Sequence, residues 1–244
     1  MSGLDLNADL GEGEPATRTH ALMRWVGSAN VACGGHAGGV ATMERAIRSA
    51  RRHKVRLGAH PGLWSRRGDA GRKRMAMKPG ELTLLLLHQV GALARLARHQ
   101  GVPLHHIKLH GALYHMTETD ARWARCYVEA VARWWPRLKI YALARGRVAR
   151  LAGQHGLTVW EEAFLDRAYL PDGRLVPRTR KGAMLTSSTQ VMDRLRMLTK
   201  QGVIEAVDGS FLALEPRTLC IHSDTPGAVG MARSAARMLR GVKQ

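Results

Sequence analysis

Short apolar runs with polar tips alternate along the chain with longer stretches in which apolar residues return every three or four positions. The runs cover residues 4–10, 28–33, 55–59, 106–109, 138–143, 158–164 and 218–221. Their length and β-branched content suit buried strands. Helical spacing fills residues 40–53, 79–100, 119–135, 187–201 and 227–240. The stretch at 79–100 is the clearest. It has Pro79 in its first turn, Glu81 close behind and Gly101 after its end, with Leu82, Leu85, Leu86, Gln89, Leu93 and Leu96 on one face. Residues 206–211 break the alternation, and Asp208-Gly209 there predicts a hairpin with a type I′ turn. Strands alternating with helices predict parallel βαβ units, an α/β fold of about seven strands in a single domain over residues 1–244.

Such folds carry their sites at the carboxyl ends of the strands. The polar tips fall there. They are Asp9 with Gly11-Glu12-Gly13, Gly34-Gly35-His36, His60-Pro61, His110-Gly111, Arg145-Gly146, Asp166-Arg167 and His222-Ser223-Asp224. On the first strand Asp5, Asn7 and Asp9 share a face, because strand side chains alternate. Three polar groups in a barrel interior require partners or a function, whereas on an edge strand they would simply face water. His36, His60, His110 and His222 each follow a strand-like run, so a shared acid–base or metal site is expected. Asp9, His36 and His60 form a donor set suited to a hydrolytic divalent metal. Lys108 lies two residues before His110 and shares its face, where it can bias a nearby acid or hold an anion. Adjacent Glu161 and Glu162 point to opposite faces, so one at most faces the site. Arg178 and Lys181, in an irregular segment, suit carboxylate or phosphate capture or form a solvated basic loop.

Composition narrows the function classes. Lys and Arg number 38 against 19 Asp and Glu, a formal charge of +19 over 244 residues. That field attracts anionic partners. The cations run from Arg18 to Lys243 without a helix-turn-helix, zinc-finger or aromatic RNA-reading motif, which disfavours nucleic-acid recognition. Cys33, Cys126 and Cys220 are too scattered for a disulfide framework and fit reduced thiols in the cytoplasm. No run approaches a membrane span, and the first residues lack a secretory pattern. No Gly-rich phosphate loop, dinucleotide fingerprint or nucleophile elbow occurs.

Several stretches together resemble the LamB/YcsF family, which includes 5-oxoprolinase A subunits. They are Asp5-Leu-Asn-Ala-Asp-Leu-Gly-Glu12, Ala29-Asn-Val-Ala-Cys-Gly34 with His36-Ala-Gly38, Gly58-Ala-His-Pro61 and Lys108-Leu-His-Gly-Ala-Leu-Tyr114. They continue with Glu162-Ala-Phe164, Asp166-Arg-Ala-Tyr169, Asp172-Gly-Arg-Leu-Val-Pro-Arg178 and Cys220-Ile-His222 with Asp224. The resemblance implies a distorted (β/α) barrel similar to the glycoside hydrolase/polysaccharide deacetylase-like fold. It implies ATP-dependent opening of 5-oxoproline to L-glutamate, with two allophanate-hydrolase-like partner subunits handling ATP. With the residues above, it makes Asp9, His36, His60, His110 and Lys108 candidate catalytic groups. Asn7, Asn30, Arg167, Arg178, His222 and Asp224 become candidate substrate-binding groups. The chain departs from the family pattern at Gly39, Leu109 and Ser223 and across residues 62–72. A stand-alone metal-dependent deacetylase or amidohydrolase, or a non-catalytic basic binding protein, are the alternatives.

Overall fold

The structure is a computed structural model that describes residues 3–64 and 77–241. Most of the divergent 62–72 loop, and Lys243, lie outside the described residues. Seven strands close into one parallel barrel in the order β1 (Asp5–Leu10), β2 (Ser28–Ala32), β3 (Arg56–His60), β4 (Leu104–Ile107), β5 (Lys139–Leu143), β6 (Val159–Phe164) and β9 (Thr218–Cys220). β9 closes the ring by pairing with both β1 and β6. A separate antiparallel pair, β7 (Val203–Glu205) and β8 (Phe211–Ala213), lies beside the barrel.

The outer layer consists of α1 (Ala16–Met23), α2 (Val40–His53), α3 (Glu81–His99), α4 (Gly111–Thr119), α5 (Ala121–Trp134), α6 (Arg147–Gln154), α7 (Ser188–Gln201) and α8 (Ala228–Gly241). The strand residues pointing outward, such as Leu57 and Ala59 of β3 and Ile107 of β4, bury against the helix layer, here the Leu82, Leu85, Leu86, Val90 and Leu93 face of α3. Burial of those faces drives closure.

The barrel interior is polar. Asp5, Asn7 and Asp9 of β1 all point inward and are buried, because β1 lies between β2 and β9 and has no free edge. Asn7 donates to Glu162 and Thr218, while Asn30 donates to Asn7 and Asp9. Lower in the barrel Asp5 accepts from Ser28 and Thr218 and pairs with Arg56. Every buried polar group in this column therefore has a partner, the condition for burying it. Gly58 is part of this packing, since a Cβ there would strike the His106 ring. That ring stacks on Tyr141 at 3.7 Å and bonds Asn30 at 2.6 Å.

Local differences from the sequence reading have identifiable causes. β4 begins two residues earlier than the run read at 106–109, because half-buried His105 separates Leu104 from the rest of the strand and reads as polar. The helical stretch at 119–135 is α5, capped at its start by Asp120, and α4 precedes it. α4, α1 and α6 escape the sequence pattern because they are short and have no capping side chain of their own; the first amides of α6 bond the distant Glu118 carboxylate instead. Pro79 precedes α3, whose first turn is closed instead by Glu81 accepting from the Lys78 amide. The 206–211 turn is not type I′. Gly209 has φ +85°, but Asp208 is not left-handed, and the Gly209 amide bonds the Ala206 carbonyl. A type I turn followed by a left-handed glycine fits that pattern.

Candidate active site at the carboxyl mouth of the barrel

A cavity of about 560 Å³ opens at the carboxyl ends of the strands. Asp9, His60, Lys108, His110 and His222 form its polar floor, and Arg167 and Arg178 lie on its wall. Leu109, Leu143, Phe164, Leu170, Leu175 and Pro177 supply apolar lining.

Lys108 anchors the floor. Its Nζ lies 2.9 Å from Asp9 Oδ1, 2.9 Å from Glu162 Oε1 and 3.1 Å from Cys220 Sγ. Burial opposes its charge, but Asp9 and Glu162 outweigh burial and hold the ammonium well above its usual pKa. Burial likewise pushes Asp9 upward, yet His60 and Lys108 overcome that push and keep its carboxylate well below the usual range. Glu162 moves the other way, raised chiefly by burial. Of the two carboxylates sharing Lys108, Asp9 carries the charge and Glu162 takes up a proton more readily.

The imidazoles fall into two groups. His222 Nδ1 lies 2.9 Å from Asp166 Oδ1, and the His222 amide and Thr225 hydroxyl also donate to Asp166. A carboxylate partner at Nδ1 fixes the proton there, so Nε2, 3.7 Å from Asp9 Oδ2, presents its lone pair to the cavity. Asp166 stays ionised: burial raises it, but His222 and Thr225 more than compensate. The second group surrounds Glu12, whose Oε1 lies 2.8 Å from His36 Nε2, 2.7 Å from His110 Nδ1 and 3.4 Å from His60 Nε2. Burial would raise Glu12, yet His110 and His36 hold it well below its usual value. His60 Nδ1 donates to the Lys108 carbonyl at 2.8 Å, which turns Nε2 toward Asp9 and Glu12. His36 stacks flat on His110 at 3.6 Å. Gly62 makes room for that stack, because a Cβ there would collide with His36 Nδ1.

The sequence-predicted residues therefore separate. Asp9, His60, Lys108, His110, Arg167, Arg178 and His222 meet at one cavity. Asn7 and Asn30 do not, because they are fully buried beneath Asp9 with their amides engaged inside the barrel. His36 lies behind His110, outside the lining, and Asp224 pairs with Arg178 at 2.7 Å rather than lining the cavity. Exposed Lys181 is not part of the lining either. Sequence reasoning alone does not single out Glu12, Glu162 and Asp166 as site residues. Glu12 stands in the loop motif after the first strand, Glu162 is one of two adjacent candidates, and Asp166 has no sequence link to His222.

Among the described residues, two groups of donors are close enough to hold a metal ion: Glu12 with His36, His60 and His110, and Asp9 with Cys220 and His222. The expected set of Asp9, His36 and His60 is not one of them. His36 is a poor ligand, because its Nδ1 is buried without a partner and a ligating imidazole normally donates that N–H. His60, with its Nδ1 donated to a carbonyl, meets that requirement. Cysteine ligation fits poorly too, since burial pushes Cys33 up to about 12 and Cys220 well above its usual value.

A closed parallel barrel with a convergent acid–base pocket at its carboxyl mouth is an α/β-barrel enzyme architecture. The chain belongs to the LamB/YcsF family, which it matches over residues 4–243. It is 39% identical to the 5-oxoprolinase A subunit of Pyrococcus furiosus over 245 residues, covering 98% of this chain and 96% of that one. It is 42% identical to the 5-oxoprolinase A subunit of Syntrophobacter fumaroxidans over 238 residues, covering 96% and 94%. The crystal structure of a lactam utilization protein from Thermus thermophilus superposes with a TM-score of 0.88, at 37% identity and covering 98% and 97% of the two chains.

Proposed function

We propose that this chain is the lactam-opening subunit of an ATP-dependent 5-oxoprolinase, hydrolysing the C–N bond of activated 5-oxo-L-proline to give L-glutamate. The convergence of Asp9, Lys108, His60, His110 and His222 on one cavity carries the reading, in a chain similar along its length to proteins named as 5-oxoprolinase A subunits. His222, oriented by Asp166, takes the proton from an attacking water through Nε2. Lys108 offers a fixed positive charge to the oxygen that becomes negative as the carbonyl turns tetrahedral. His110, held by Glu12, stands ready to protonate the departing nitrogen. Asp9 stays ionised and holds Lys108 and His60 in place, so it is better suited to positioning than to proton transfer. Arg167 and Arg178 bind the substrate carboxylate. Glu12, His60 and His110 would hold a divalent ion that would polarise the carbonyl; His110 would then be a ligand, and the departing nitrogen would take back the proton that His222 gained from the water.

Opening an unstrained lactam requires coupling to ATP, and no Gly-rich phosphate cradle occurs in this sequence. The ATP that drives ring opening is therefore bound and cleaved by partners, two allophanate-hydrolase-like subunits, in the cytoplasm. No described helix is long and apolar enough to cross a membrane. The test is glutamate release from ATP, Mg²⁺ and 5-oxoproline, with and without the two partners, repeated after chelation. Activity is expected only in the complete mixture. Full-rate release by this chain alone would overturn the subunit reading in favour of a stand-alone amidohydrolase.

A further inference from the structure

A parallel barrel gathers the first residues of all its strands at the mouth opposite the active site. In this chain one side of that mouth is basic. Arg56 opens β3, Lys139 opens β5, and Arg217 immediately precedes β9. Trp160 of β6 lies among them. The Arg56 and Arg217 guanidinium carbons are 5.4 and 5.8 Å from its ring centroid, and Lys139 Nζ is 5.9 Å away. His105 of β4 meets the same ring edge-on at 4.9 Å.

Beside this cluster is a cavity of about 270 Å³, lined by Lys54, Arg56, His105, Arg137 and Lys139 together with apolar residues. No Asp or Glu among the described residues lines it. Arg56 reaches Asp5 at 3.3 Å, but that buried carboxylate already accepts from Ser28 and Thr218. Lys54, Arg137 and Lys139 make no salt bridge among the described residues. Four like charges are thus held around one concavity with one sunken counter-charge, an arrangement that repels itself until an anion enters. Burial, Lys139 and Arg56 push His105 down to about 4, so it meets an incoming anion as a neutral donor.

We propose that this amino-terminal mouth is a second binding site, for a small anion carrying a chain of two or more phosphoryl groups. Two guanidinium forks and two ammonium groups match several phosphoryl oxygens at once, which a single carboxylate would not engage. The concavity accepts a compact anion rather than an extended strand. The site is separate from the carboxyl-mouth cavity and does not depend on the 5-oxoprolinase reading.

The experiment is calorimetric titration of the full chain with pyrophosphate, in parallel with orthophosphate, ATP and citrate, at constant ionic strength. Saturable one-site binding of pyrophosphate and ATP is expected, with orthophosphate and citrate at least tenfold weaker. Arg137→Gln, at an exposed position, and Lys139→Gln, at a half-buried one, should each weaken pyrophosphate at least tenfold. Arg178→Gln, in the other cavity, should not. In NMR, the His105 ring signals should move on titration and its pKa should rise. Unsaturable binding, equal affinity for citrate, or indifference to Arg137→Gln and Lys139→Gln in folded protein would overturn the proposal as diffuse surface attraction. Loss of binding in Arg178→Gln alone would overturn it by placing the anion in the active-site cavity.

Discussion

Replacing Asp166 by Asn tests the His222 assignment at the cost of one atom type. Asp166 is fully buried and accepts from the His222 amide, from His222 Nδ1 and from the Thr225 hydroxyl. An Asn there has one acceptor oxygen, and its NH₂ must face one of those donors. The least costly relief is for His222 to shift its proton to Nε2 and accept at Nδ1. The lone pair that faced the cavity is then gone, and the imidazole can no longer take a proton from water. Loss of general-base action costs about 10²–10⁴-fold in rate, or roughly 3–5 kcal/mol of barrier at 1.36 kcal/mol per decade. The serine-protease dyad mutant with the wrong tautomer loses about 10⁴-fold, which sets the upper end. The assay is steady-state glutamate release by the assembled complex of Asp166→Asn, with His222→Asn as companion. The fall should lie in kcat, with KM changed little, and the two variants together should be scarcely worse than either alone. A folded Asp166→Asn complex with near-wild-type kcat, or losses that multiply in the double variant, would refute the dyad.

Two further outcomes concern stability. Burial pushes His36 and His115 down to about 4 and His106 well below its usual value. A depressed histidine contributes stability that is complete above its unfolded pKa of about 6.5 and lost as pH falls toward the folded value, at up to about 1.4 kcal/mol per pH unit for each group. Asp5, Glu118 and Glu162, raised by burial, act in the opposite sense above their unfolded values of about 4, and so offset part of the loss in the lower half of that window. Urea midpoints should therefore fall as pH drops from about 6.5 and level off toward about pH 4, and a flat profile throughout would show that these rings titrate normally. Gly58→Ala should cost about 1–3 kcal/mol, because the new methyl meets a His106 ring already fixed by Tyr141 and Asn30. A loss under about 0.5 kcal/mol in chemical denaturation would mean that the ring can yield.

The barrel was legible because strand–helix alternation is a local pattern, and seven of the runs became its strands. Elements carried by weak local signals were not. α4 follows His110 without a cap, and the start of β4 is hidden by His105, which separates Leu104 from the rest of the strand. The site was legible as far as strand periodicity reaches. Asp9, Lys108 and the histidines at strand tips could be placed on one mouth from spacing alone. Depth could not be read in that way. Asn7 and Asp9 share a face, yet two residues of rise put one under the floor and the other in it. Pairings across the barrel were equally invisible, because Asp166–His222 and Glu12–His110 join residues that only closure brings together.

The packed polar column has a consequence for traffic. From Asp5 up to Lys108 the inside of the barrel is filled by buried, mutually bonded side chains, and the stack of Trp160, Tyr141 and His106 closes the far end. The molecule is therefore a cup and not a tube. Whatever enters by the rim must leave by the rim, so product departure and the next arrival compete for the same doorway. A protein seated on that rim would govern both, acting as valve as well as supplier.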